Sequence, residues 1–124
     1  KYIKKILKKL SEDPSTSKTP TIVFARDPKC NLNEFKLDNL NCYGLFTSID
    51  PSSAISVFEG THALQGNLDP KILLEEDSVI KESALKMLSE FKDFPGYIFN
   101  LGHGITPDIN PDKVKVLVEA IRES

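Results

Sequence analysis

Apolar residues along the chain fall into two alternating rhythms, a stripe at helical spacing and a short unbroken run. The first ten residues carry Tyr2, Ile3, Ile6, Leu7 and Leu10 on one stripe with lysines between them, which predicts an amphipathic helix. A Ser/Thr/Pro/Asp loop over 11–20 follows, and the β-branched run 21–25 predicts the first strand. Leu32, Phe35 and Leu40 suggest a weaker helix, diluted by four asparagines between 31 and 41, before a second strand over 42–46. Asp50-Pro51 is an N-cap followed by proline at the first helical position, so a helix starts there with Ala54, Ile55 and Phe58 inward, and Gly60 ends it. A third strand spans 61–65, and Asp69-Pro70 opens a short helical turn. Asp77 caps a longer helix with Ile80, Ala84, Met87, Leu88 and Phe91 as its stripe. The run 97–101 reads as a fully buried strand. Asn110-Pro111 then starts a last helix with Val114, Leu117, Val118 and Ile121 inward.

Strands alternating with helices pair in parallel through right-handed crossovers, which makes the fold class α/β. Four parallel strands then gather their carboxyl ends on one edge, where open sheets and barrels place their chemistry. Arg26, Asp27, Gln65, Asn67, Asn100 and His103 meet at that edge. His103 is bracketed by Gly102 and Gly104, which free the backbone for turns and close approach. His62 opens a strand at the opposite end, where residues serve stability, and is read as structural.

The chain has no GxGxxG motif, no P-loop and no nucleophile turn, so neither a dinucleotide crevice nor a triad is supported. What remains is a polar ligand held at strand ends, with His103 as hydrogen-bond donor or proton-transfer group.

Composition narrows the partners. At 124 residues the chain is one domain with a core, and 40% hydrophobic with 27% charged residues is that of a soluble globule. A net charge of −2, with arginine only at Arg26 and Arg122, gives no nucleic-acid signature and few forks for a polyanion. The lysine-rich face of the first helix is read as solvated. No apolar run approaches the ~20 residues of a membrane span, and no signal peptide is present. Cys30 and Cys42 stand twelve apart without a CxxC partner, so zinc or a redox dithiol is not expected and both are read as reduced. The chain begins in a helix without an initiator Met, which suggests a fragment of a longer protein.

Two stretches carry a resemblance. Ala63-Leu-Gln-Gly-Asn-Leu-Asp-Pro70 and Ile98-Phe-Asn-Leu-Gly-His-Gly-Ile-Thr-Pro107 resemble the closing segments of uroporphyrinogen decarboxylases. Their spacing and the final helix over 114–120 resemble that family too, and Thr21-Ile-Val-Phe-Ala-Arg26 is similar to its preceding strand, where lysine is more usual than arginine. The resemblance implies the C-terminal half of a (β/α)8 TIM barrel, four parallel strands with helices outside, since an eight-unit barrel needs roughly 250 residues. It implies a carboxy-lyase that removes the four acetate carboxyl groups of uroporphyrinogen III as CO2 to give coproporphyrinogen III, with no metal or prosthetic group. By the same resemblance His103 contacts substrate, while Arg26, Gln65, Asn67 and Asn100 are candidates for the pocket edge. The pyrrole-gripping aspartate and the anchoring arginines belong to the family's earlier half, so this stretch alone is expected to be inert.

The family's Gly-Leu-Asp-Trp reads Gly44-Leu-Phe-Thr47 here, replacing an acid and an aromatic beside the cavity. A half-barrel leaves two sheet edges open, so homodimerisation or pairing with the missing half is expected. The expected compartment is the cytoplasm, or a plastid or other organelle if targeting lies in the missing part. Two alternatives stay open: a related corrinoid or thiol methyltransferase, and a non-catalytic half-barrel acting as a binding or structural module.

Overall fold

A computed structural model describes residues 2–26 and 31–124. Its elements, in chain order, are α1 (Tyr2–Glu12), β1 (Ile22–Phe24), a 3-10 turn (Leu32–Phe35), β2 (Cys42–Gly44), α2 (Pro51–Phe58) and β3 (Ala63–Gln65). A second 3-10 turn (Pro70–Leu74), α3 (Asp77–Glu90), β4 (Tyr97–Ile98) and α4 (Pro111–Arg122) complete it.

The strands form one parallel sheet in the order β1-β2-β3-β4. Each strand lies beside the one before it in sequence, with no reversal of direction across the sheet. That is the order of a barrel wall; a doubly wound sheet changes direction at a switch point. The chain is α/β, four consecutive strands of a (β/α)8 wall with helices outside.

Register decides which residues share a face. Val23, Tyr43, Leu64 and Tyr97 are aligned across all four strands. Tyr43 and Leu64 are wholly buried there, packed with Leu7 of α1, Ala54 and Phe58 of α2, and Phe91 and Phe94 beyond α3. Tyr43 lies between the rings of Phe35 (4.5 Å) and Phe58 (5.3 Å), and Tyr97 stacks on Phe91 at 4.1 Å. Each such side chain contributes roughly 1.5–3 kcal/mol by leaving water. A second core joins Leu73, Ile80, Ala84, Ile109, Leu117 and Ala120, where α3 and α4 pack together. One residue on, Phe24, Gly44, Gln65 and Ile98 form the next aligned row and turn to the other face. Among the described residues no helix covers the edges of that face: Phe24 is 47% and Ile98 44% exposed.

Three helix starts follow their cap residues. Asp50, Asp69 and Asn110 each accept a backbone N–H from the first turn, with proline just after. Elsewhere the structure corrects the sequence reading. The asparagine-rich segment is a single 3-10 turn with Asn31 as its cap, because short amide side chains satisfy turns better than helices. The cap of α3 is Glu76, without a side-chain bond, and Asp77 is already in the first turn. The third strand starts at Ala63, since the amides of Thr61 and His62 are used by Phe58 O to finish α2. The run 97–101 pairs as a strand only over Tyr97–Ile98 and is not fully buried, because β4 is a sheet edge with one face open.

Of the α1 stripe only Leu7 is buried, while Tyr2 (79%) and Ile6 (57%) face outward beside β1, the other edge. Val118 of α4 is likewise on the exposed side, with Ala120 inward instead. His62 has the structural setting expected of it: Nε2 lies 3.0 Å from Leu37 O and the ring meets Phe58 edge-on. Cys42 is a free, buried cysteine whose thiol is pushed up in pKa by burial; Cys30 and Asp27 lie outside the described residues. Among the described residues no helix is long and apolar enough to cross a membrane.

Candidate functional site

The ladder continues past the strands into the loops at their carboxyl ends. Gly66 N donates to Ile98 O (3.1 Å), Leu68 N to Asn100 O (3.1 Å) and Gly102 N to Leu68 O (2.8 Å), so the β3 and β4 loops rise together. Gly66 has φ +124, in the region only glycine enters readily, and the Gly66–Asn67 peptide is cis. A Cβ at Gly66 would sit 2.9 Å from Leu45 O. The Tyr97 hydroxyl donates to Gly66 O and ties β4 to this bend. Burial, helped by the charge of Glu90, pushes that phenol well above its ordinary pKa.

Asn67 turns away from the mouth. It is 4% exposed, and its Nδ2 donates to Phe46 O (2.9 Å) and Ile49 O (2.7 Å), holding the loop between β2 and α2. Gly102 lies against the same loop, where a Cβ would come 2.6 Å from Thr47 Cα and Thr47 N. A side chain at 102 has no room. His103 therefore leaves β4 directly above residues 46–47, and its ring lies 5.7 Å from that of Phe46 at 31°. Phe46 in turn meets Phe24 at 6.4 Å, so three rings run in a row along the mouth.

The His103 Nδ1 is 2.9 Å from Gly104 O. A carbonyl oxygen can only accept, so Nδ1 carries the proton and Nε2 is the nitrogen left to meet a ligand. A neutral ring then accepts at Nε2, and a charged ring donates there.

Beside these rings is an open pocket of about 250 Å³ lined by Phe24, Gly44, Leu45, Gln65, Asn100, Leu101, His103 and Gly104. Three of the five sequence candidates, Gln65, Asn100 and His103, come together in it. Asn100 also accepts the Leu101 amide with Oδ1 (2.8 Å), which shapes its own turn. Arg26 is exposed at the end of β1 and does not line the pocket, and Asn67 is the buried tie described above. Phe24 is a lining residue the sequence reading did not select; its signal is strand alternation, two residues from Ile22 on the same face. No charged side chain belongs to the lining among the described residues, and none of their His, Cys, Asp and Glu side chains form a group of three able to hold a metal ion. The site can present a row of tilted aromatic rings, two carboxamides and one imidazole; it cannot by itself neutralise several carboxylates.

Comparison with known proteins finds relatives of this chain. The family profile described as uroporphyrinogen decarboxylase (URO-D) matches residues 1–124. The chain is 35% identical over 123 residues to the uroporphyrinogen decarboxylase of Alcanivorax borkumensis, covering 99% of this chain and 35% of that one. It is 41% identical over 107 residues to that of Chloroherpeton thalassium (84% and 30%), and 32% identical over 120 residues to that of Burkholderia cenocepacia (97% and 33%). The chain thus spans about a third of the length of these curated relatives.

Proposed function

The chain belongs to the uroporphyrinogen decarboxylase family, and on that premise we propose that it is the carboxy-terminal, half-barrel part of a uroporphyrinogen decarboxylase. The full-length protein removes the four acetate carboxyl groups of uroporphyrinogen III as CO2, giving coproporphyrinogen III. This part contributes a segment of the wall and one face of the substrate pocket. His103 contacts the substrate through Nε2, accepting from a pyrrole N–H when neutral or donating to a carboxylate when charged. Gln65 and Asn100 add hydrogen bonds at the rim, and the tilted Phe24 and Phe46 rings offer apolar surface to the macrocycle. The acid that grips the pyrrole N–H groups and the cations that balance the carboxylates come from the remainder of the barrel, which also covers the open sheet face. The 124-residue chain alone is inert. The observation that carries this reading is the family match over the whole chain, together with a histidine at the strand ends whose Nε2 is left for a ligand.

The test is decarboxylation of uroporphyrinogen by the full-length protein, wild type beside His103→Ala. Wild-type turnover with a loss on the order of 10²-fold in kcat/KM for the variant supports both enzyme and site. Turnover unchanged by the substitution removes His103 from the site and keeps the enzyme. A second reading, a non-catalytic half-barrel, draws on the uncharged lining and on Phe46 and Thr47 at the mouth. A full-length protein that binds porphyrinogen without turning it over establishes that reading instead.

A further inference from the structure

We propose that Phe46, pinned by Asn67, is the positioning residue for the His103 imidazole. Phe46 is the platform on which the ring is oriented; Asn67 sets the platform. The proposal deepens the reading of His103 as a substrate contact and rests on it for its kinetic consequence only.

Within its own loop, His103 is weakly restrained. Its one side-chain bond there is from Nδ1 to the neighbouring Gly104 O, and a Cβ at Gly104 would touch nothing within 4 Å. That side of the loop is open. The restraint comes from across the mouth, at two points of the loop after β2. The Phe46 ring lies 5.7 Å from the imidazole, tilted by 31°, within the separation at which aromatic pairs attract. The backbone of Thr47 fills the space a side chain at Gly102 would need. A loop used as a reference surface must itself be fixed, and this one is. Both hydrogens of the Asn67 amide are spent on it, on Phe46 O at 2.9 Å and Ile49 O at 2.7 Å. Ile49 N closes a turn onto Phe46 O (3.0 Å), and Asp50 caps α2 through Ser53 N (2.8 Å). Asn67 is buried, so water cannot replace it as donor without opening the loop.

The path is short: the Asn67 amide holds the Phe46 carbonyl, the Phe46 ring holds the His103 ring, and Nε2 is thereby aimed.

The experiment uses full-length protein in four forms: wild type, Phe46→Leu, Phe46→Tyr and Asn67→Asp. The last keeps the shape of the side chain and removes the two donated hydrogens. NMR of the histidine ring protons reads the contact directly, with His62 as internal control and His103→Ala giving the assignment. Loss of the Phe46 ring current shifts the His103 protons in Phe46→Leu, while the His62 protons stay put. Asn67→Asp displaces the His103 protons as well, and Phe46→Tyr restores the wild-type pattern. In parallel, kcat/KM for uroporphyrinogen falls roughly tenfold in Phe46→Leu and recovers in Phe46→Tyr. His103 resonances that are the same in Phe46→Leu or in Asn67→Asp as in wild type overturn the proposal. Because the resonances are read without substrate, a protein inactive on uroporphyrinogen defeats the enzymatic reading and leaves the positioning claim to be decided by NMR.

Discussion

On the helix side of the sheet, Val23, Tyr43, Leu64 and Tyr97 stand in one aligned row, with Tyr43 and Leu64 at zero exposure. One residue on along every strand, Phe24, Gly44, Gln65 and Ile98 form the matching row on the other side, and the two edge members stand in solvent. Both edge strands also carry large apolar side chains on the open side. Ile22, Phe24 and Ile98 are as suited to a core as Val23 is, which is the composition of strands covered twice. The open face is thus a surface built to be covered, and only its carboxyl end, where Gln65, Asn100 and His103 cluster, is polar. Packing is concentrated on one side of the sheet, and the polar pocket lies on the rim of the other.

That contrast can be broken most directly by truncating one residue on each face. Leu64→Ala empties a fully buried position and is expected to cost about 2–5 kcal/mol. Phe24→Ala on the open face is expected to cost under about 1 kcal/mol. Urea midpoints at constant m-value measure both, and equal losses would mean the open face is already packed. The two glycines beside His103 sharpen the comparison at the rim. Gly102→Ala must displace the Thr47 backbone, at about 1–3 kcal/mol, whereas Gly104→Ala points into open space and stays within about 0.5 kcal/mol. Thermal unfolding of the pair checks it.

A hydrogen bond links the packed face to the mouth. Tyr97→Phe removes the hydroxyl that donates to Gly66 O and is expected to cost about 1 kcal/mol near neutrality. The phenol is shifted upward on folding, so the stability it contributes is complete below its unfolded value of 10.0 and is lost as pH rises above it toward the higher folded value. Urea titrations between about pH 9 and pH 11 should show wild type losing stability that the phenylalanine variant does not lose.

Much of this could be read from the chain because it is decided by neighbours in sequence. Asp50-Pro51, Asp69-Pro70 and Asn110-Pro111 start helical turns as their own side chains dictate. Parallel pairing followed from the alternation of elements, and the glycine-bracketed His103 from its immediate flanks. What could not be read depends on residues far away. Asn67 is a polar residue in a polar-looking mouth, yet it faces inward, where its amide donates to the carbonyls of Phe46 and Ile49, some twenty positions earlier. Tyr2 and Ile6 share the stripe of Leu7 and have no described neighbour to bury them. Arg26 ends a strand as expected, but β1 is the sheet's edge and the residue stands apart from the pocket.

The order β1-β2-β3-β4 also sets how such a chain acquires its structure. Ile22 pairs with Cys42, Cys42 with Ala63 and Leu64 with Tyr97, so no strand waits for a partner more than about a third of the chain away. Loop closure over such spans is entropically mild, and each new strand finds its template already in place. A growing polypeptide can therefore add one strand and one helix at a time in the order of synthesis, with β3 to β4 as the longest closure. Tyr97, on the last strand to arrive, then locks the bend at Gly66 and completes the rim. On that order the β4 side of the mouth, with Asn100 and His103, is the last part to be set.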